Sequence, residues 1–212
     1  MSSEPTHGEQ RLGLLTSSRA SVIMHGSQAA WDTLRKDMWA YTPEEFDEKV
    51  KGGARAYGHE HEAEGAAKFW ERHPELEIDL VKEPVVYRGA GELQGWLASS
   101  PDRMAYDMLE VNPSSDKLIG VEVKSPSTPE TFEHHGLRDH FDQCQHGLLC
   151  TGWSKWYLVI HHGELYREFE ILRDMKWQAE YLRRAQLFHQ FCYEDRAVVR
   201  RRFSIRDLKK GK

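Results

Sequence analysis

The sequence predicts an α/β fold, a small mixed sheet flanked by helices. Two observations carry this. Four strand segments are expected, over residues 84–88, 95–99, 118–124 and 156–161. Between the last two, residues 137–150 place Leu137, Phe141, Cys144 and Leu148 on one side at helical spacing. Strands alternating with helices are the pattern of an α/β domain. A length of 212 residues, 39% hydrophobic, suits a single domain (1–212) with a sizeable core.

Residues 1–10 read as a loose leader. The run Arg11-Leu12-Gly13-Leu14-Leu15-Thr16-Ser17-Ser18 leads into a short helix, with Thr16, Ser17 or Ser18 as N-cap. A second helix is expected over 28–41. Thr42-Pro43-Glu44-Glu45 starts a third, with Thr as cap and Pro in the first turn, and Gly52-Gly53 ends it. A helix over 58–72 sets Glu62, Ala66 and Phe69 at i, i+4 and i+7, beside Ala63, Ala67 and Trp70. Glu62 then lies on the apolar stripe, while Glu60, Glu64 and Glu71 face water. A carboxylate on a buried side must be paired or bind a metal; an ordinary salt bridge meets that demand too. A long helix is expected over 174–193. No internal repeat is present.

The net charge of −5 does not suggest a nucleic-acid binder, but its distribution does more. Residues 196–212 carry eight bases and one acid, Asp207, so the rest of the chain is at −12. A basic tail on an acidic body can contact phosphates locally; it can equally be a solvated tail. No apolar run approaches the ~20 residues of a membrane helix, and residues 1–10 hold no signal-peptide apolar region. Three scattered cysteines (Cys144, Cys150, Cys192) lack metal-knuckle spacing and fit a reducing cytoplasm.

The chemistry concentrates at Val121-Glu122-Val123-Lys124-Ser125-Pro126. On a strand, Glu122 and Lys124 share one face, and Ile119, Val121 and Val123 pack on the other. Asp102, at the end of a preceding strand, could reach the same spot. Two carboxylates and a lysine there suit a hard divalent cation and phosphodiester chemistry. A solvated strand face also produces E-x-K.

Taken in order, the motifs resemble the PD-(D/E)XK nuclease superfamily. More narrowly they resemble the lambda-exonuclease type of phage recombination nuclease, the alkaline exonuclease or viral-recombinase family. Arg11-Leu12-Gly13-x-x-Thr16-x-Ser18 is similar to its R-x-G-x-x-T-x-S, and Tyr57-Gly58-x-x-x-Glu62 to its G-x-x-x-E helix. Ser100-Pro101-Asp102 matches S-P-D, Glu122-Val123-Lys124-Ser125-Pro126 matches E-x-K-x-P, and Gln143-Cys144-Gln145 matches Q-x-Q. The match covers about residues 11–160. Two departures concern the turn and the DNA track: Arg103 stands where the family usually has Gly, and 104–117 lengthens the path to Glu122.

The resemblance implies a Mg²⁺-dependent 5′→3′ exonuclease that degrades one strand of linear duplex DNA to 5′-mononucleotides. The 3′ overhangs would feed homologous recombination by single-strand annealing. It implies two Mg²⁺ ions per site, with Mn²⁺ as a substitute. Asp102 would bridge them, Glu122 and the Val123 carbonyl would hold one, Glu62 would help hold the other, and Lys124 would orient the water. Arg11, Ser18, Ser100 and Gln143 would form a 5′-phosphate pocket; by apolar stripe alone, Gln145 lies nearer the protein interior than Gln143. Implied too are a homotrimeric ring, a single-strand annealing partner, and a phage or prophage protein in the bacterial cytoplasm. The alternatives are another DNA endonuclease or single-strand exonuclease of the superfamily, or a non-catalytic DNA-end-binding module.

Other features carry less. The pairs His59/His61, His134/His135 and His161/His162 have no ligand spacing on a shared face. Phe132, Trp153 and Trp156 suit core packing better than base stacking. No Walker loop, dinucleotide fingerprint or nucleophile elbow is present.

Overall fold

Alternation along Ile119–Lys124 (β6) sends Ile119, Val121 and Val123 into one core and turns Glu122 to the opposite face. The computed structural model describes residues 13–40, 54–80, 85–87, 89, 91–107 and 118–209. The leader, Arg11, the helix expected from Thr42 and its Gly52-Gly53 break lie outside the described residues, as do 108–117 of the lengthened connection.

The chain order is β1 (Leu15–Thr16), a 3₁₀ turn (Ser17–Arg19), α1 (Ala20–His25), α2 (Gln28–Ala40), α3 (Ala54–Arg72), β2 (Leu76–Leu80), β3 (Val85–Val86), β4 (Leu97–Ser99) and β5 (Arg103–Asp107). Then come β6, α4 (Pro129–His134), α5 (Leu137–Thr151), β7 (Lys155–His162), β8 (Leu165–Leu172) and α6 (Met175–Lys209). Five strands form the main sheet in the order β2-β5-β6-β7-β8. Only β6 and β7 run parallel, joined by α5 as a crossover, so the sheet is mixed as expected.

Helices cover both faces. On one, Ala66 and Phe69 of α3 pack on Val121, Val123, Tyr157 and Val159. On the other, Cys144 and Leu148 of α5 pack on Trp156, Leu158 and Ile160. β7 is buried on both sides, as befits the strand between two helical layers. α6 closes the structure with Trp177, Tyr181, Ala185, Phe188 and Cys192 on one stripe against α1, α2 and β4.

Several expectations need correction. Segments 84–88 and 95–99 do not join the main sheet. Their strands, β3 and β4, lie with β1 in a separate three-stranded sheet of order β1-β4-β3. β2, β5 and β8, which complete the main sheet, were not expected, although Leu76-Glu77-Ile78-Asp79-Leu80 alternates cleanly. The helix α4 was also not expected. Its signature, Thr128 capping the Thr131 N–H at 3.1 Å ahead of Pro129, is the one read at Thr42-Pro43. On α3, Glu62, Ala66 and Phe69 do form the inner stripe, but Ala63, Ala67 and Trp70 face out, Trp70 at 52% exposure. The helix expected over 174–193 runs on to Lys209 through the basic segment, where neither Pro nor Gly interrupts it.

Candidate active site

Pro101 has no N–H to continue a ladder, so β4 ends at Ser99 and the chain turns before β5. Asp102 therefore stands at the head of β5 and not at the end of a strand. From there its Oδ2 accepts the Val123 N–H of β6 at 2.7 Å. That bond locks the carboxylate beside the Glu122-Val123-Lys124 backbone, 21 residues away in sequence.

Glu122 is only 3% exposed. Its Oε1 accepts from the Lys124 ammonium at 2.5 Å and from the Gln143 side-chain amide of α5. A buried carboxylate needs such donors, and period-two spacing with a crossover helix above supplies both. Gln145, by contrast, is structural: its amide donates to the Leu172 carbonyl at 2.6 Å and its oxygen accepts the Asp174 N–H at 3.0 Å. Burial opposes the charge on Lys124, but the carboxylates of Glu122 and Asp102 outweigh it and hold the ammonium above its ordinary value. Burial, and next the negative charge of Glu122, push the Asp102 carboxyl well above its usual range. Burial also raises the Cys144 thiol far above neutrality, with Glu122 adding to it, so it is no nucleophile.

Glu62 enters from α3. Its Oε1 accepts from Arg103 Nη1 at 2.5 Å, and the same nitrogen donates to the Asp102 carbonyl at 2.7 Å. Arg103, a departure from the motif at the turn, is an ion partner of Glu62. Glu62, Asp102, Val123 and Lys124 line one cleft of about 290 Å³, together with Ser125, Thr131 and His135.

Two histidines brace its rim. His161 Nε2 lies 2.8 Å from the His61 carbonyl and 2.6 Å from Ser125 Oγ. His162 Nδ1 donates to the Pro126 carbonyl at 2.9 Å. Adjacent residues on a strand point to opposite faces, so His161 ties Ser125 to α3 while His162 holds Pro126. Phe132, Trp153 and Trp156 are core residues.

The other expected residues are placed as follows. Ser18 is exposed on the 3₁₀ turn; Ser17, its buried neighbour, donates to Ser99 Oγ at 2.8 Å. That bond and the β1–β4 pairing hold the turn beside the strand leading to Ser100. Gln143 sits at Glu122, and Arg11 lies outside the described residues.

The donor set is oxygen-rich: the carboxylates of Glu62, Asp102 and Glu122 gather with two internal cations, Lys124 and Arg103. Hard oxygen ligands with excess negative charge fit a divalent ion such as Mg²⁺, which keeps several waters and needs few carboxylates. Among the described residues, no three His, Cys, Asp or Glu side chains already enclose an ion position. Glu62 and Glu122 are turned to Arg103 and Lys124 instead.

The helix-flanked mixed sheet aligns with the folds of an alkaline and a phage-related exonuclease. The alkaline exonuclease LHK-Exo of Laribacter hongkongensis, also solved in complex with dAMP, aligns at TM-score 0.71 and 17% identity, over 92% of this chain and 95% of its own. A phage-related exonuclease from Haemophilus somnus aligns at TM-score 0.62 and 10% identity, over 88% and 96%. No curated protein matches by sequence. The chain belongs to the family of the YqaJ-like viral recombinase domain, whose model matches residues 7–154.

Proposed function

We propose that the protein is a Mg²⁺-dependent 5′→3′ exonuclease that degrades one strand of linear double-stranded DNA to 5′-mononucleotides. The 3′ overhangs it leaves would serve single-strand annealing recombination. The observation that carries this reading is the convergence of Glu62, Asp102, Glu122 and Lys124 from α3, the head of β5 and β6, in a chain of the viral recombinase family.

Divalent ions, when bound, supply Lewis-acid stabilisation of the attacking and leaving oxygens. Asp102, Glu122 and the Val123 carbonyl would hold one position and Glu62, with Asp102, the other. Gln143 fixes the Glu122 carboxylate in place. Lys124 orients the attacking water and offsets the charge that grows on the phosphate. Arg11, Ser18, Ser100 and Gln143 are assigned to the 5′-phosphate. Arg11 alone of these carries a permanent charge.

The test is a linear duplex with one phosphorylated and one hydroxyl 5′ end. With Mg²⁺, mononucleotides should appear first from the phosphorylated end, faster by about 10- to 150-fold if the contact is worth ~1.5–3 kcal/mol. Arg11→Ala should slow that end toward the hydroxyl rate and leave the hydroxyl end nearly unchanged. Internal cuts in circular DNA would favour an endonuclease. Binding of ends without cleavage would favour an end-binding module.

A further inference from the structure

Arg103 has a task that the exonuclease reading leaves unassigned. Its Nη1 lies 2.5 Å from Glu62 Oε1 and 2.7 Å from the Asp102 carbonyl, so the guanidinium sits between two residues assigned to metal binding. Both partners are mostly withdrawn from water, with side-chain exposures of 15% for Arg103 and 17% for Glu62. Pairing there is less screened than on an open surface. The position is also fixed by the sheet: Arg103 opens β5 and is paired with Leu80 on one side and Val121 on the other.

The charge balance points the same way. Three carboxylates, Glu62, Asp102 and Glu122, meet two cations, Lys124 and Arg103. Among the described residues, Lys124 is engaged by Glu122 and Arg103 by Glu62. A divalent ion drawn to Glu62 must share its carboxylate with the guanidinium, and two cations on one carboxylate repel each other.

We propose that Arg103 is a built-in counter-cation of the ion position at Glu62. It holds the carboxylate while no ion is bound, competes with the ion for it, and thereby sets how tightly the site takes a divalent cation. The inference rests on the two-ion reading above. It makes Arg103 a positioning residue that acts through Glu62.

The experiment is a direct titration of the full chain with Mn²⁺, followed by calorimetry and by the electron paramagnetic resonance of free Mn²⁺, without DNA. Arg103→Gln keeps a hydrogen-bonding side chain and removes the charge. It should bind Mn²⁺ about tenfold more tightly than wild type, the scale of a hydrogen bond between charged groups. Arg103→Lys keeps the charge and loses the planar fork, and its affinity should fall between the two. It serves as the second variant should Arg103→Gln not fold, the fold being checked by circular dichroism. In a Glu62→Gln background, Arg103→Gln should change affinity by less than about twofold, because the contested carboxylate is gone. Unchanged or weaker binding in folded Arg103→Gln would overturn the proposal. So would an equal gain in the Glu62→Gln background, which would reduce Arg103 to one charge in a general field. A wild-type chain that takes up no Mn²⁺ or Mg²⁺ would remove the two-ion reading itself, an outcome distinct from a wild type that binds while Arg103→Gln shows no gain.

Discussion

Asp102 accepts a backbone hydrogen bond from Val123 and is not a member of the apolar clusters that form the core. Its removal therefore takes charge from the cleft at little cost to the core. Asp102→Ala should abolish Mg²⁺-dependent cleavage with the melting temperature within a few degrees of wild type; cleavage near the wild-type rate would dismiss the ligand assignment. Lys124→Ala differs. It should lose activity and still bind Mn²⁺, since the carboxylates stay, and calorimetry separates the two effects. Another residue-scale prediction concerns stability against pH. His146 is fully buried: its Nε2 lies 3.0 Å from the Ala98 carbonyl, which can only accept, so Nδ1 of the neutral ring accepts from the Tyr181 hydroxyl at 2.6 Å. Burial lowers its pKa from 6.5 to about 4. The unfolded chain takes the proton first as pH falls, so the contribution is full above pH 6.5 and fades down to pH 4. The loss is on the order of 3 kcal/mol across that window. Denaturant melts at pH 7 and pH 5 should show a smaller drop for His146→Gln than for wild type. Equal drops would mean that His146 is protonated in the fold.

At the scale of elements, α3 delivers Glu62 because Gly65, one turn on, lets the helix lie against β6 and β7. A Cβ at Gly65 would overlap the His161 ring and come within 2.6 Å of Val123 Cγ1. In an exposed helix, Gly→Ala gains up to about 1 kcal/mol. Here overpacking costs roughly 1–3 kcal/mol, so Gly65→Ala should destabilise and should lower activity by displacing Glu62. A rise in melting temperature would show that α3 sits less tightly than described. α5 is anchored from its other side, where Trp177 Nε1 donates to Asp142 Oδ1 at 2.7 Å and Tyr181 donates to His146. The helix that carries Gln143 is thus held by both the sheet and α6.

For the whole molecule, an acidic body with bases gathered in 196–212 suits an assembly whose basic residues face DNA. If the proposed trimeric ring is right, light scattering should report about three times the 24.7 kDa chain mass. A stable monomer that still degrades long duplex would remove the ring. No helix among the described residues is long and apolar enough to cross a membrane.

By itself the sequence determined what depends on local period. Strand alternation put Glu122 and Lys124 on one face; helical spacing put Glu62, Ala66 and Phe69 on one stripe, and Leu137, Phe141, Cys144 and Leu148 on another. The order of five short motifs then pointed to the family. What only the tertiary structure decided spans long separations. Arg103 meets Glu62 across 41 residues, His161 meets Ser125 across 36, and Ser17 meets Ser99 across 82. The division of strands into two sheets has the same origin: β1 and β4 are neighbours in space and distant in the chain. Local spacing sets which way a side chain points, and the pairing of distant strands sets what it meets. Arg103 could therefore be read in the sequence as a departure from a motif, while its partner Glu62 became visible only once α3 lay on the sheet.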